Sequence, residues 1–216
     1  SVISNEKRAD IVKRVKDACI NGRQVYWVCT LIEESEALEC EAAEVISMNL
    51  ANLLPKTRVG LIHGRMSSEE KNSVMTDFKN GDIQLLVATT VIEVGVDVPN
   101  ASLMIIEDAE RLGLAQLHQL RGRVGRGNIQ SHCILIYQTP LSRDGKLRLG
   151  VMRESCDGFY IAEKDLELRG PGQVLGTNQA GLMSFKIADM QRDALLLEDK
   201  KKDRKSTRLN SSHRCI

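Results

Sequence analysis

The 216-residue sequence has few aromatic residues, few prolines and no long apolar run. Only 3% of its residues are Phe, Tyr or Trp, and only four are proline. A helix that crosses a membrane needs about 20 consecutive apolar residues, whereas the apolar stretches here, such as Leu103 to Ile106, are short. The contents of hydrophobic residues (42%) and charged residues (27%) are typical of a globular protein. We therefore expect no membrane partner and exclude collagen-like and disordered chains.

Cysteine and histidine are present without the spacing that disulfide or metal sites need. The six cysteines are scattered, no C-x-x-C pair occurs, and the four histidines do not cluster with them. Free or buried thiols in a reducing compartment are therefore expected, and no metal site is expected. The first methionine is Met48, so Ser1 is not expected to be the native start, and no signal peptide is visible.

The net charge of +1 depends on the last 17 residues. Residues 200–216 contain seven Lys or Arg and one Asp, and without them the chain would carry 23 basic and 28 acidic residues. Bulk charge therefore does not indicate nucleic-acid binding, and any such role must come from local patches. We interpret residues 200–216 as a non-native or disordered tail, and a phosphate-binding basic tail is the alternative.

Strand and helix patterns alternate with short connections. Strands are predicted at 24–29, 59–62, 83–88, 103–106 and 132–137, with helices at 6–20, 33–54, 68–80 and around 114–121. The helix at 33–54 has Leu38, Ala42, Val45 and Leu53 among its apolar positions. Because the strands are continuous apolar runs, we expect a doubly wound parallel α/β sheet that ends near Pro140. Two helices, around 147–152 and 161–168, and a glycine-rich loop at 169–181 follow.

Glycines and arginines alternate in Gln116–Arg126 (QLHQLRGRVGR). Arg121, Arg123 and Arg126 place three guanidinium groups within six residues, and such groups fit phosphate oxygens. Because these charges repel one another, an anionic partner or acidic neighbours are needed. The alternative is a surface cluster that forms ordinary salt bridges.

Two further segments follow predicted strands. In residues 86–99 (LVATTVIEVGVDVP), Thr89 and Thr90 suit phosphate, and the carboxylate of Asp97 suits a ribose hydroxyl. A plain loop with an N-capping threonine explains the same residues equally well. The second segment is His63–Met66 (HGRM), where a lone histidine is more often structural than catalytic.

The sequence contains no G-x-x-x-x-G-K-[ST] phosphate loop. Residues 105–110 (IIEDAE) are superficially similar to a metal-binding acidic box. Without a phosphate loop upstream we interpret them as an acidic loop. The chain by itself therefore lacks the parts that hold a magnesium–nucleotide complex.

The order of these segments resembles the second RecA-like lobe of superfamily 2 helicases. Residues 24–30 resemble helicase motif IV, residues 86–99 motif V and residues 119–126 motif VI (Q-x-x-G-R-x-x-R). Within that superfamily, residues 27–36, 88–102, 112–126 and 165–181 are most similar to a bacterial branch of ATP-dependent DNA translocases that remodel replication forks and Holliday junctions in recombination and repair. The resemblance implies three parts: a RecA-like domain (1–140), a translocation hairpin and loop (141–182) and the start of a C-terminal extension (183–199). The tail at 200–216 follows them.

The resemblance also implies roles for individual residues. ATP with Mg²⁺ would bind between this lobe and a first lobe that carries the phosphate loop and the Mg²⁺ ligands. The implied catalytic residues are the arginine fingers Arg123 and Arg126, with Gln119 coupling nucleotide to DNA. Gly95, Asp97 and Gly122 would line the nucleotide. The residues implied for DNA contact or translocation are Thr89, Thr90, His63, Arg65, Arg148, Arg153, Arg169 and Gln179.

The expected partners are branched or double-stranded DNA, the first lobe and a wedge domain of the same protein, in the bacterial cytoplasm or nucleoid. This chain alone is expected to be inactive. Two alternatives stay open at this point. One is a transcription-repair coupling translocase, which shares the hairpin, and the other is a non-catalytic nucleic-acid-binding module.

Overall fold

The computed structural model describes residues 1–30, 36–89, 98–125 and 130–169. Within them, six parallel strands form one sheet in the order β1-β6-β5-β2-β4-β3. The strands are β1 (Val2–Ser4), β2 (Gln24–Cys29), β3 (Val59–Ile62), β4 (Leu85–Thr89), β5 (Ala101–Ile106) and β6 (His132–Tyr137). The helices are α1 (Arg8–Ile20), α2 (Glu36–Leu53), α3 (Ser68–Asn80), α4 (Leu114–Arg121), α5 (Arg143–Glu154) and α6 (Gly158–Arg169). The predicted parallel α/β fold is confirmed.

Side chains alternate along each strand, so successive residues point to opposite faces of the sheet. Both faces are buried. In β2, Val25 and Trp27 belong to a cluster with residues of α1 and α2, whereas Tyr26 and Val28 belong to a second cluster with residues of α3, α4 and α5. All six residues of β2 are buried. Helices therefore cover both faces, as the continuous apolar strands predict.

Helix α3 shows how local sequence sets the boundaries of an element. The Ser67 hydroxyl accepts from the backbone N–H of Glu70, and the Glu70 carboxylate accepts from the backbone N–H of Ser67 at 2.8 Å. The helix ends at Gly81, whose φ of 87° lies in the left-handed region. Met75 and Phe78 are buried on its inner face, and the prediction for this helix is confirmed.

The buried face of α2 could not be identified from the apolar positions in its sequence. Leu38, Val45 and Leu53 are 48%, 57% and 57% exposed, while Ala43 and Leu50 on another face are fully buried. The helix carries apolar residues on both sides, so its sequence pattern does not identify the side that meets the sheet. Residues 31–35, where the predicted helix begins, lie outside the described residues.

The two helices after the sheet pack onto the lobe. Leu149 and Met152 of α5 and Ile161 of α6 are buried in the same cluster as Met104 of β5. Both helices are longer than predicted. The hairpin therefore shares the hydrophobic core of the sheet, which determines where its polar residues lie.

Candidate nucleotide and DNA interface

Helix α4 carries the residues of the predicted motif VI. Leu114, Leu117 and Leu120 are buried and attach one side of the helix to the core. The opposite side leaves Gln119 exposed, and Gly122 at the end of the helix is exposed as well. The helix therefore presents Gln119 and Gly122 outward.

Two arginines that are two positions apart have different surroundings. Arg121 donates from Nη1 to the backbone oxygens of Ser155 at 2.8 Å and Met152 at 3.2 Å, at the end of α5. Arg123 is partly exposed, and within the described part of the chain no carboxylate forms an ion pair with it. Arg121 therefore fastens α5 to α4, whereas the guanidinium of Arg123 has no such contact with a described residue. Arg126 lies outside the described residues.

Polar residues meet at the carboxyl ends of three neighbouring strands. Thr89 ends β4 and is buried, and its backbone pairs with Cys29 at the end of the adjacent β2. Thr30 is also buried, and its hydroxyl donates to the backbone oxygens of Glu107, which follows β5, and of Asp108, at 3.1 Å from the latter. Thr90, Gly95 and Asp97 lie outside the described residues.

One carboxylate of the predicted acidic loop after β5, that of Glu107, is paired with a distant arginine. The Nε atom of Arg8 lies 2.8 Å from Oε1 of Glu107. Burial raises the pKa of Glu107, and the positive charge of Arg8 acts in the opposite direction. Burial also raises the pKa of the neighbouring Cys29 thiol. Sequence reasoning missed Arg8 because 99 positions separate it from Glu107 and neither lies in a shared motif.

His63 and Arg65 follow β3, which lies beside β4. The Nε2 atom of His63 lies 3.6 Å from Oε1 of Glu44, and among the described residues its buried Nδ1 atom has no hydrogen-bond partner. Arg65 is exposed. Lys71 donates from Nζ to the backbone oxygen of Gly64 at 3.0 Å, which fixes the loop between them. The loop after β3 thus adds an exposed cation, Arg65, to the carboxyl edge of the sheet.

The hairpin arginines differ in their accessibility. Arg148 donates from Nη2 to the backbone oxygen of Glu110 at 2.6 Å, so its guanidinium is engaged inside the lobe. Arg153 is exposed in the last turn of α5. Arg169 ends α6, but its side chain and Gln179 lie outside the described residues. The structure therefore holds the partly buried Arg148 against the lobe and leaves Arg153 at the surface.

Within the residues that the structure describes, no group of three or more His, Cys, Asp or Glu side chains is arranged to hold a metal ion. In the same residues, no helix combines the length and the apolar character needed to cross a membrane.

Comparison with known families identifies the lobe. Residues 6–128 match the family model of the helicase conserved C-terminal domain. The chain belongs to this helicase family. Residues 155–209 match a second model, that of domain 3 of the ATP-dependent DNA helicase RecG, at its C-terminal part. The helicase lobe and the segment after it therefore match separate family models in the order that the sequence motifs indicate.

Curated relatives of this helicase chain confirm the resemblance to the bacterial branch, which is that of RecG. The chain is 63% identical over 198 residues to the ATP-dependent DNA helicase RecG of Escherichia coli (strain K12) and 61% identical over 197 residues to that of Haemophilus influenzae. It is 52% identical over 183 residues to that of Bacillus subtilis. These matches cover 91%, 91% and 84% of this chain but only 29%, 28% and 27% of the relatives. The chain thus corresponds to the C-terminal helicase region of RecG proteins.

Solved structures agree with this assignment of the helicase lobe. A structure titled as RecG bound to a three-way DNA junction has a TM-score of 0.70 and 41% identity, and the match covers 91% of this chain and 25% of that one. The helicase MrfA bound to DNA has a TM-score of 0.51 at 18% identity over 72% of this chain and 20% of its own. The second likeness shows the fold alone.

Proposed function

We propose that this chain is the second lobe of an ATP-dependent translocase that acts on double-stranded and branched DNA. The observation that carries the proposal is the position of Arg123. Arg123 lies just after the end of α4, is partly exposed and has no carboxylate partner among the described residues, whereas Arg121 bonds to the end of α5. Such a guanidinium is suited to bind an anion. In this proposal the anion is the γ-phosphate of ATP held by the first lobe.

The residues around Arg123 suit a nucleotide. Gln119 and Gly122 are exposed beside it, and the motif V and VI patterns add Gly95, Asp97 and Arg126. In our proposal Arg123 and Arg126 act as arginine fingers that stabilise charge on the transferred phosphoryl group, a contribution of about 10³–10⁵ in rate. ATP would bind with Mg²⁺, whose ligands we assign to the first lobe. Hydrolysis of the bound ATP would supply the free energy for movement.

Two anchoring contacts support a role for the hairpin in coupling. Arg121 fastens the end of α5 to α4, and Arg148 fastens its middle to the segment before α4. A hairpin held at two points moves with the lobe when the two lobes close. We propose that Arg148 acts through this anchoring, while Arg153, Arg169 and Gln179 contact the DNA backbone.

The carboxyl edge is the second part of the proposed DNA surface. Thr89 ends β4 and is followed in sequence by Thr90, while His63 and Arg65 follow the neighbouring β3. Arg65 supplies an exposed cation that can contact phosphate. Such contacts position DNA without identifying its sequence, so binding should depend on salt concentration.

Similarity to RecG proteins supports a role at replication forks and Holliday junctions in recombination and repair. One similar structure is titled as RecG bound to a three-way DNA junction. The match of residues 155–209 to a RecG domain favours this role over that of a transcription-repair coupling translocase. We propose the bacterial cytoplasm or nucleoid as the location, and a wedge domain of the same protein as a further partner.

A chimeric enzyme tests the proposal. The 198 aligned residues of this chain replace the matching region of the RecG of E. coli (strain K12), which supplies the remaining 71% of that protein. We expect DNA-stimulated ATPase from the chimera and none from the isolated chain. An inactive chimera, with DNA binding retained, would favour a passive DNA-binding module and would overturn the proposal.

The Arg123→Ala variant of the chimera tests the finger role. We expect kcat to fall by about 10³–10⁵, because stabilisation of the transition state is lost, while the Kd for DNA changes little. Arg123→Lys should fail to restore kcat, since an ammonium group cannot form the paired hydrogen bonds of a guanidinium. Lys13→Ala, on the exposed side of α1, is the control and should keep full activity. Near-normal turnover of Arg123→Ala would refute the role.

A further inference from the structure

An arginine near the start of α1 is packed into the carboxyl edge of the sheet. The Nε atom of Arg8 lies 2.8 Å from Oε1 of Glu107, and the two side chains are 29% and 13% exposed. The guanidinium of Arg8 also lies over the ring of Trp27, 5.2 Å from its centroid. Trp27 is fully buried in β2. Arg8 is thus held by a carboxylate and by an aromatic face at the same time.

Glu107 begins the segment that connects β5 with α4. Its backbone N–H donates to the Val28 oxygen at 2.9 Å, and its backbone oxygen accepts from the Thr30 hydroxyl. Asp108 has a φ of 45° and is the sole non-glycine residue with positive φ in the described ranges. A left-handed residue is costly unless its surroundings fix it. Here the Thr30 hydroxyl holds the backbone oxygens of Glu107 and Asp108, and Arg8 holds the side chain of Glu107.

The segment that follows this turn leads directly into α4, which carries motif VI. A short 3-10 helix, Ala109–Arg111, follows Asp108, and α4 begins at Leu114. Ala109 and Leu112 are buried, so the segment has little freedom to adjust. A change in the backbone at Glu107 is therefore transmitted to α4, and with it to the position of Arg123.

Burial makes the charge of Glu107 dependent on Arg8. Burial raises the pKa of Glu107, and Arg8 counteracts this effect. Without Arg8, the buried carboxylate would have no opposite charge, and it would either take up a proton or turn toward solvent. Turning toward solvent pulls on the backbone of the segment between β5 and α4.

We propose that Arg8 is a positioning residue that acts through Glu107 to fix α4, and thereby sets where Gln119 and Arg123 meet the nucleotide. The inference rests on the proposed function for Gln119 and Arg123. It adds a residue that lies outside motifs IV, V and VI.

Hydrogen exchange on the 216-residue chain tests the structural part without any ATPase assay. We expect Arg8→Ala to accelerate amide exchange at residues 107–112 by about tenfold, while β3 and β4 exchange as in the parent. In the double variant Arg8→Ala/Glu107→Gln, most of the protection should return, because the unpaired charge is gone. Lys13→Ala is the matched control, since it removes an exposed ion pair from the same helix. Uniform acceleration across the sheet, or a double variant no better than Arg8→Ala, would overturn the proposal.

Kinetics of the chimera test the functional part. We expect Arg8→Ala to lower kcat by about tenfold with the KM for ATP within about twofold, because misplaced groups reduce rate more than binding. The double variant should recover most of kcat. If exchange changes as expected but kcat does not, Arg8 is structural and the proposal is wrong. If Arg123→Ala leaves kcat intact, the finger role has failed, and the exchange result still reports on the turn.

Discussion

Replacement of Arg121 by alanine should destabilise the chain strongly, whereas the same change at Arg123 should not. Arg121 donates two hydrogen bonds to backbone oxygens at the end of α5, where the helix dipole favours a cation. Its Nη2 atom also lies 3.1 Å from Nδ1 of His118. Hydrogen bonds from a charged donor contribute about 1.5–3 kcal/mol each, and a single Nη1 atom makes both of these. We therefore expect Arg121→Ala to lower the free energy of unfolding by about 3 kcal/mol.

Urea unfolding of the 216-residue chain, followed by circular dichroism, measures this difference. Arg123→Ala should change the free energy of unfolding by less than about 0.5 kcal/mol, because no described carboxylate pairs with its side chain. Arg121→Lys should recover part of the loss, since it keeps the charge but lacks the planar donors. Equal losses for the two alanine variants, or a loss below about 0.5 kcal/mol for Arg121→Ala, would refute the division of roles.

Two further variants test the core and the start of α3. Phe78 is fully buried with its ring edge-on to Tyr26, 4.9 Å between centroids, so Phe78→Ala should cost about 3–5 kcal/mol in urea unfolding. A cost below about 2 kcal/mol would contradict the packing. Hydrogen bonds from Ser67 lower the pKa of Glu70 from 4.5, so its stabilising effect is present above that pH and is lost as pH falls through the folded value. Glu70→Gln should therefore be less stable than the parent at neutral pH, and the difference should disappear in acid; a difference that persists there would contradict the capping role.

Elements fixed by neighbouring residues could be predicted from the sequence. The capping residues Ser67 and Glu70 are three positions apart, and Gly81 follows the last turn, so both ends of α3 are encoded locally. The strand at Gln24–Cys29 is confirmed at both ends because its apolar run is continuous and bounded by polar residues. The parallel sheet follows from several such strands that alternate with helices.

Features that depend on distant contacts could not be predicted. The inner face of α2 is determined by its packing against the sheet. Because the helix has apolar residues on both sides, its sequence does not indicate which side is buried. Strand β1 is only three residues long and pairs with β6, so its own sequence carries almost no signal. In both cases the tertiary contact, and not the local pattern, decides the structure.

The candidate site likewise combines features that the sequence predicts with features that depend on distant contacts. The motif drew attention to Gln119, Gly122 and Arg123, and the structure has Gln119 and Gly122 exposed and Arg123 partly exposed at and just after the end of α4. It did not separate Arg121 from Arg123, because spacing alone does not indicate which guanidinium meets the end of α5. The Arg8–Glu107 pair joins two segments that no motif connects.

The place of β1 in the sheet has a consequence for synthesis on the ribosome. Its Val2 pairs with Leu135 of β6, so during synthesis this strand waits for a neighbour more than a hundred residues later. At about 5–20 residues per second, this delay lasts about 7–27 s. During that time the opposite edge of β5 is uncovered as well, since β6 lies between β5 and β1. Nascent chains at this stage expose apolar strand edges, and molecular chaperones that bind such edges would have their longest opportunity here.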